Sequence, residues 1–383
     1  MRILHLIDPG SPGGGPCTLR LLADPVRRLA GITHDVLIVG NRTHVAEAER
    51  LGIEPVGCLV PPTNLPLLVR RGLKRFIKTY EAAFGRYDLV HAWTARSAVL
   101  AAVGARRRRR LATIGVGAVR DRGLRMLARV VGRLPMRLLA ATGEVRRACE
   151  RLGIEPEWLT DFPPGVDPAS STLVEKRESL RRRWGAEDGT FVVGLLSEPP
   201  RWADASRAVT VLSLVVNTGR NVRLIAHPAC RGRVQSEQWA SQIGLPGLIR
   251  VDEGLAEPWR VVGGLDAALF PGGFAGPTTA RKHRTALMGR RPGPMPLLWA
   301  MAAGVPVVAE ATEAAREIVQ DGAGALLVER GDTNAAARAL IDLYDDRTKA
   351  GRIGARAREA VATRFDARDY CRRLEEVYEK EVT

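Results

Sequence analysis

PMPLLWAMAAGVPVVAEATEAAREIVQDGAGALLVERGD, residues 294–332, is the stretch of this sequence that decides the fold. Pro296 suits the first turn of a helix, where its missing N–H breaks no helical hydrogen bond, and Gly304 is typical of a residue that ends one. The pattern predicts a helix over residues 297–303, a strand over 305–309, a helix over 314–319 and a strand over 325–328. Strands that alternate with helices in this way predict a parallel sheet with crossover helices.

The same alternation runs through the whole chain and falls into two sets. We predict strands at residues 2–7, 34–39, 89–91, 111–114 and 138–141, and, before the two strands given above, at 191–196, 222–226, 249–251 and 267–270. Helical patterns follow each of them, which predicts an α/β chain with two Rossmann-like, doubly wound domains.

The expected join between the domains is PPGVD at residues 163–167. This join gives a first domain at residues 1–165 and a second at 166–365, followed by a C-terminal helix at 366–383. Apolar side chains at Tyr370, Leu374 and Tyr378 share one side of that helix. We expect it to pack back on the first domain.

The composition is that of a globular protein. Of the 383 residues, 45% are hydrophobic and 26% charged, which excludes a disordered chain. No apolar run reaches the ~20 residues that span a bilayer, and a strand stands where a signal peptide would. The five cysteines lie far apart without a CxxC pair, which indicates reduced thiols and no zinc site. These features predict a cytoplasmic protein.

The formal net charge is +16, and nearly all of the excess is arginine. Basic residues concentrate in the first half, at residues 67–78, 106–110 and 120–137. Two interpretations stay open: solvated helix faces in an arginine-rich protein, or basic amphipathic helices that contact an anionic membrane at the inner face of the plasma membrane. Aromatic residues are only 5%, and no helix-turn-helix, zinc-finger or RRM signature is present. We therefore expect no specific nucleic-acid binding.

Three short motifs accompany the stretch at 294–332. They are DLVHA at residues 88–92, PPGVD at 163–167 and EIVQDGAGALLV at 317–328. Together they resemble the family-4 group of GT-B glycosyltransferases, and the resemblance runs from residue 1 to about 378. It implies two Rossmann-like domains that face each other across a cleft, a nucleotide-sugar donor held by the second, and a glycan or lipid-linked acceptor received by the first. It implies no bound metal and no cofactor besides the co-substrate.

In that family, the helix that opens at Pro296 would hold the donor diphosphate. A helix N-terminus offers N–H groups and the positive end of a dipole, so the backbone through Leu297 and Leu298 can bind an anion whatever side chains it carries. An ordinary buried helix is the alternative, and both readings can hold. Arg291 and Trp299 stand where the family carries glutamates for the sugar and the ribose, and an indole N–H cannot accept from two hydroxyl groups.

Two more family positions differ here. The loop LSEPPRW at residues 196–202 has Glu198 about where a diphosphate-binding arginine is usual, so Arg201 would be a shifted substitute. Gly115 replaces a histidine near the end of a first-domain strand. The usual side-chain chemistry of the site is therefore largely missing.

A basic loop leads into the helix at Pro296. Residues 272–293 include Lys282, Arg284 and Arg291 among glycines, prolines and threonines. Arginine binds phosphate through two parallel hydrogen bonds, so this loop is one candidate for a replacement clamp. A solvated surface loop is the other interpretation.

The first domain carries its own candidate residues. Gly13, Gly14 and Gly15 follow the first strand, where glycine lets the backbone approach a ligand at the carboxyl end of a sheet. A flexible connection explains them nearly as well. Asp8 could orient an acceptor hydroxyl or simply begin a turn, and His91 could take part in catalysis, although a packed histidine at a strand end is the more common case.

Three functions compete at this point. The first is a glycosyltransferase that moves a sugar from a nucleotide-diphosphate donor to an acceptor hydroxyl. The second is a catalytically inactive relative that serves as a binding or scaffold protein in envelope polysaccharide assembly. The third is a basic membrane- or nucleic-acid-associated module. The preserved helix start and glycine segment favour the enzyme, whereas the missing glutamates favour the scaffold.

Overall fold

The computed structural model describes residues 1–60, 66–119, 121–134, 136–167, 175–270, 293–319 and 324–383. The chain divides into two compact units. Unit 1 comprises Met1–Gly165 together with Ala367–Thr383, and unit 2 comprises Val166–Asp366. Each unit is built on one parallel sheet, as the alternation of strands and helices predicts.

The sheet of unit 1 has seven parallel strands in the order β3-β2-β1-β4-β5-β6-β7. Their bounds are β1 Arg2–Ile7, β2 Thr33–Val39, β3 Pro55–Leu59, β4 Leu89–Ala92, β5 Arg109–Ile114, β6 Arg137–Ala140 and β7 Leu159–Asp161. The chain starts at the centre of the sheet, moves out to one edge, and returns to build the other half. This reversal at β1 and β4 is the topological switch point at which α/β sheets bind ligands.

Helices cover both faces of this sheet. They are α1 Pro16–Arg28, α2 Arg42–Arg50, α3 Pro66–Phe84, α4 Ala95–Gly104, α5 Arg122–Val131 and α6 Gly143–Arg151. Right-handed crossovers put α1 and α2 on one face and the helices of the return path on the other. The contacts of α4 with both α3 and α5 agree with this arrangement.

The C-terminal helix completes unit 1. This helix, α15, spans Ala367–Val382 and contacts α1, β4 and β5. Tyr370, Leu374 and Tyr378 recur every fourth residue, so they form one stripe, and all three are buried.

The sheet of unit 2 has six parallel strands in the order β10-β9-β8-β11-β12-β13. Their bounds are β8 Phe191–Leu195, β9 Val222–Ala226, β10 Ile249–Val251, β11 Ala267–Phe270, β12 Val307–Glu310 and β13 Ala325–Val328. The strands are short and almost wholly apolar, because helices bury them on both faces.

The helices of unit 2 lie on both faces of its sheet. They are α7 Arg177–Arg183, α8 Ala205–Val216, α9 Arg233–Gln242, α10 Pro258–Val261, α11 Met295–Ala302, α12 Glu313–Ile318, α13 Thr333–Asp345 and α14 Arg347–Arg364. α8 and α13 pack together over one face, whereas α11 contacts α10 and α14. None of the helices in the described parts of the chain is long and apolar enough to cross a membrane.

The predicted fold class is confirmed by these two parallel sheets. All six strands predicted for the second half are present, and five of the seven in unit 1. The sequence analysis did not find β3 and β7, which are the two edge strands of that sheet.

Candidate functional site

The candidate donor site begins at the first turn of α11. Pro296 is its second residue, and the Leu298 N–H already donates to the Pro294 carbonyl oxygen at 3.1 Å. The helical pattern therefore leaves the N–H groups of Met295 and Leu297 as the donors of this turn. All eight residues of α11 are buried, and the side chains of Leu297 and Leu298 have no exposed surface.

Trp299 lies inside unit 2. Its ring is 3% exposed and packs against Trp259 of α10, with 5.7 Å between the ring centroids and 57° between the planes. The residue that replaces a ribose-binding glutamate of the resembling family therefore serves as a core aromatic that holds α11 against α10. Its role as a donor-lining residue stays a prediction, one that this placement does not favour.

The loop after β8 meets the start of α11. The Gly293 N–H donates to the Glu198 carbonyl oxygen at 3.0 Å. The Glu198 carboxylate also lies against Gly293, since a Cβ atom there would come within 2.6 Å of its Oε2 atom. Arg201, three residues further, is exposed in a short 3-10 turn, Pro200–Trp202. The structure thus brings a carboxylate to the N-terminal end of the helix, which is where an anionic ligand would bind.

Three of the predicted donor-binding residues lie outside the described residues. They are Lys282, Arg284 and Arg291, all in the basic loop before α11. The clamp that they were predicted to form stays a prediction.

The glycine segment after β1 is tightly packed in unit 1. Gly13 has a φ of 79°, a conformation that side chains other than glycine rarely adopt. A Cβ atom on Gly14 would come within 2.1 Å of the Asp8 carbonyl oxygen, so only glycine fits there. Gly15 is the N-cap residue of α1, and a Cβ atom there would meet nothing within 4 Å. The segment is a fixed turn between β1 and α1.

Asp8 is held in the same turn. Asp8 is 8% exposed, and its carbonyl oxygen accepts a hydrogen bond from the Ser11 N–H at 3.1 Å. Its carboxylate lies 3.5 Å from the Arg96 guanidinium. Burial raises the pKa of this carboxyl, and the charges of Arg96 and His44 oppose that effect. A buried carboxylate beside a cation, at the carboxyl end of β1, is suited to accept a proton or a hydroxyl hydrogen bond.

His91 lies in the interior of unit 1. One of its ring nitrogens, Nδ1, is 2.8 Å from the Tyr378 hydroxyl of α15, and Nε2 is 2.9 Å from Thr113 Oγ1. The residue has no exposed surface, and burial lowers the pKa of the imidazole to about 3. With both nitrogens engaged, this histidine ties α15 to β4 and β5.

A second histidine pair extends this buried polar cluster. Strands β1 and β4 pair His5 directly with His91. His5 Nε2 lies 2.8 Å from His34 Nδ1, and His5 Nδ1 accepts from the Trp93 indole at 3.0 Å. Burial lowers the pKa of His5 well below its usual value and that of His34 as well. Sequence reasoning missed this cluster, although histidines on two predicted neighbouring strands were a signal for it.

The end of β12 provides one further polar group in unit 2. Glu310 forms an ion pair with Arg207 of α8 and accepts from the Gly331 N–H at 3.2 Å. Glu310 is 7% exposed as a whole residue, so it is a buried link between α8, β12 and the start of α13.

Two family descriptions match this sequence. Glycosyltransferase Family 4 matches residues 20–170, in unit 1 and its junction, and Glycosyl transferases group 1 matches residues 281–346, which include α11. Among curated relatives, a D-inositol 3-phosphate glycosyltransferase of Geodermatophilus obscurus is 28% identical over 236 residues, 56% of this chain and 48% of the relative. A phosphatidyl-myo-inositol mannosyltransferase of Mycobacterium leprae is 34% identical over 152 residues, 40% of this chain and 37% of the relative. The matches span less than half the length of either relative.

Solved structures share the fold over nearly the whole chain. HepE of Anabaena, crystallised with UDP and glucose, has a TM-score of 0.76 at 20% identity and covers 99% of this chain and 100% of its own. A glycosyltransferase of Rickettsia africae has a TM-score of 0.73 at 16% identity, over 100% of this chain and 98% of its own. With two parallel sheets of Rossmann type and both family matches, the chain has the GT-B fold and is similar to the family-4-like glycosyltransferases.

Proposed function

We propose that the protein transfers a sugar from a nucleotide-diphosphate donor to a hydroxyl of a glycan or lipid-linked acceptor. The observation that carries this proposal is the first turn of α11, whose free N–H donors follow β11 at the carboxyl edge of the unit 2 sheet. A developing diphosphate leaving group can be stabilised there by the backbone and by cations. The reaction would need neither a metal ion nor a cofactor besides the nucleotide sugar.

The donor proposal draws on the relatives as well. The Anabaena structures contain UDP, with glucose or as UDP-glucose, and they share the fold of this chain at 20% identity. We propose that Arg201, with Lys282, Arg284 and Arg291 from the basic loop, replaces the side chains that usually hold the diphosphate. Pro296, Leu297, Leu298 and Trp299 would then contribute position rather than side-chain contacts.

The acceptor proposal rests on unit 1. Gly13, Gly14 and Gly15 fix the turn beside Asp8, and we propose that the Asp8 carboxylate orients the acceptor hydroxyl. The curated relatives are named for inositol phosphate and phosphatidylinositol acceptors, which suits a polyol hydroxyl near a charged headgroup. We propose a cytoplasmic protein that meets its acceptor at an anionic membrane, without specific nucleic-acid binding. His91 would act only through the packing of unit 1.

Nucleotide binding tests this function directly. We expect saturable heat in titrations of the purified full-length chain with at least one of UDP, GDP and ADP, measured by calorimetry. Arg201→Ala should weaken that binding about tenfold, because one phosphate-binding cation is lost. Arg338→Ala is the matched control, since Arg338 is an exposed arginine on α13. Absence of heat with all three nucleotides would contradict the transferase.

A non-catalytic relative is the second candidate. Two observations favour it: Trp299 is a core residue, and the Glu198 carboxylate lies at the start of α11. A binding or scaffold protein of envelope polysaccharide assembly would retain the fold but show neither nucleotide binding nor release of UDP from a UDP-sugar. Binding of the acceptor glycan alone, with no nucleotide affinity, would support this candidate.

A further inference from the structure

The end of β1 and the start of α2 meet at the carboxyl edge of the unit 1 sheet. β1 and β2 pair in parallel, with Ile7 opposite Ile38, so the residues that follow the two strands leave the sheet side by side. Asp8 follows β1 directly, and α2 begins at Arg42, shortly after β2. The third residue of α2 is the half-buried His44. Both chain segments therefore lie at the edge where α/β sheets bind ligands.

The imidazole of His44 is held in one orientation. Its Nδ1 atom accepts a hydrogen bond from the Asn41 N–H at 3.4 Å, and the Asn41 side chain accepts from the His44 N–H at 3.1 Å, which together form a capping box. A Cβ atom on Gly40 would overlap Nδ1, so glycine at the end of β2 makes room for the ring. Because a backbone N–H can only donate, Nδ1 carries no proton, and the proton of the neutral ring is on Nε2. His44 thus has a free-standing Nε2–H donor on a fixed ring.

Gly10 leaves a small space beside this ring. A Cβ atom on Gly10 would lie 3.5 Å from Asp8 Oδ1, 3.4 Å from His44 Cε1 and 3.9 Å from His44 Nε2. Gly10 is exposed, so the space that a side chain would fill opens to the solvent. We call this space the Gly10 notch. A carboxylate oxygen and an imidazole ring therefore border one position that a ligand atom can enter.

The two carboxylate oxygens of Asp8 have different neighbours. Oδ2 lies 3.5 Å from the Arg96 Nη1 atom, whereas Oδ1 borders the Gly10 notch. Burial raises the pKa of this carboxyl, and the charges of Arg96 and His44 counteract the rise, so both groups act on Asp8 and favour its charged form. In that form Oδ1 is purely a hydrogen-bond acceptor. The notch therefore combines an acceptor from β1 with a donor from α2.

We propose that the Gly10 notch binds a hydroxyl of a sugar or cyclic-polyol acceptor, and that His44 is the second partner of this hydroxyl besides Asp8. A hydroxyl can donate its proton to Asp8 Oδ1 and accept from His44 Nε2–H at the same time. An ether or carbonyl oxygen cannot donate to the carboxylate, and an ammonium group cannot accept from the imidazole. The pair of partners thus selects hydroxyl groups. This inference rests on the proposed function and deepens it, because it adds His44 and Gly10 to the acceptor-binding residues.

Sugar binding by the full chain tests the notch. We expect saturation-transfer NMR to show binding of at least one of myo-inositol, D-glucose and D-mannose. Gly10→Ala should weaken this binding about tenfold or more, because a methyl group takes the place of the hydroxyl. The new Cβ atom would make contacts of 3.4 Å or longer, which are ordinary van der Waals distances, so the variant should fold. Gly31→Ala is the matched control, since Gly31 is exposed, precedes β2 at the opposite edge of the sheet, and has nothing within 4 Å of a Cβ atom.

Two variants of His44 separate its donor from its capping role. Glutamine and glutamate at the third position of a helix can both accept the N–H of the N-cap residue, so both keep the capping box. His44→Gln also keeps an N–H donor and should bind the sugar within about threefold of the unchanged protein. His44→Glu has no donor and should bind about tenfold more weakly. Equal affinity of these two variants would overturn the role of His44.

The outcomes decide between the notch and the proposed function separately. Binding that is lost in Gly10→Ala and kept in Gly31→Ala supports the notch. If Gly10→Ala melts at a lower temperature than the unchanged protein, the two His44 variants decide, because they leave Gly10 in place. Undiminished binding by Gly10→Ala, or no binding of any of the three probes by the unchanged chain, overturns the proposal. Calorimetry with UDP should give the same result for all four variants as for the unchanged protein. A chain that binds the sugar in the notch but no nucleotide would contradict the transferase and leave the notch standing.

Discussion

Acid should destabilise unit 1 through the buried imidazole of His91. Its pKa is about 3 in the folded protein, against 6.5 for an ordinary histidine. Below about pH 6.5, His91 therefore binds a proton in the unfolded chain but stays neutral in the folded chain. Because the folded pKa is lowered, the stabilisation is complete above the unfolded pKa and declines as the pH falls from 6.5 towards 3.

The size of this effect follows from linkage. One proton taken up on unfolding changes the free energy of unfolding by about 1.4 kcal/mol per pH unit. At about pH 5, the titration of His91 alone should lower the free energy of unfolding by about 2 kcal/mol relative to neutral pH. This is a considerable part of the free energy of unfolding of about 5–15 kcal/mol that is typical of a domain. The buried His5, whose pKa is lowered in the same direction, adds to the slope.

Hydrogen–deuterium exchange resolves this effect within unit 1. In the unchanged protein, the opening free energies for peptides of β4 and α15 should decrease when the pH is lowered from about 7 to about 5. In His91→Gln, this decrease should be smaller by about 2 kcal/mol. His44→Gln is the control, because His44 lies near the surface and not in the buried cluster. Equal pH slopes in the unchanged protein and in His91→Gln would refute the reasoning, whatever the stability of the variant at neutral pH.

Three further predictions concern single contacts. Glu198→Gln should tighten UDP binding about fivefold in calorimetry, because a carboxylate near the α11 N-terminus repels the diphosphate. Glu187→Gln should leave the binding unchanged, because Glu187 is exposed and precedes β8, whereas Glu198 follows it. Gly14→Ala should lower the free energy of unfolding measured in urea, since its Cβ atom would lie 2.1 Å from a carbonyl oxygen. Gly15→Ala should change that free energy by only a few tenths of a kcal/mol. Tyr378→Phe should reduce the free energy of unfolding by about 1–3 kcal/mol in urea titrations, because it removes the hydroxyl partner of a buried imidazole; an unchanged midpoint would contradict the hydrogen bond.

The strands of this fold were predictable where helices bury both of their faces. The sequence analysis found all six strands of unit 2, and β8, β11 and β12 among them are buried at every position. The two missed strands lie at the edges of the unit 1 sheet. Pro55–Leu59 begins with a proline, includes a glycine and is only partly buried, and Leu159–Asp161 has three residues. Both strands therefore lack the long buried apolar run that reveals a central strand.

The site was predictable in its backbone and less so in its side chains. Prolines and glycines are local signals, so the first turn of α11 around Pro296 and its end before Gly304 followed from the sequence. The partners of Trp299 and Glu198 did not, because Trp259 and Gly293 lie 40 and 95 residues away in the chain. Periodicity carries no information about contacts at that range.

The packing of α11 bears on what the proposed donor site would require. Trp299 against Trp259 and the contact with α14 hold the helix from the core side, so its first-turn N–H groups are positioned before any ligand arrives. Preorganised donors make binding depend on the net charge around that turn. Glu198 is the anion that the structure describes there, and Arg201 is the nearby cation in sequence. A transferase needs the cations to prevail over Glu198, whereas a scaffold does not. The sign of the charge effect in Glu198→Gln and Arg201→Ala therefore distinguishes the two proposed functions on one helix end.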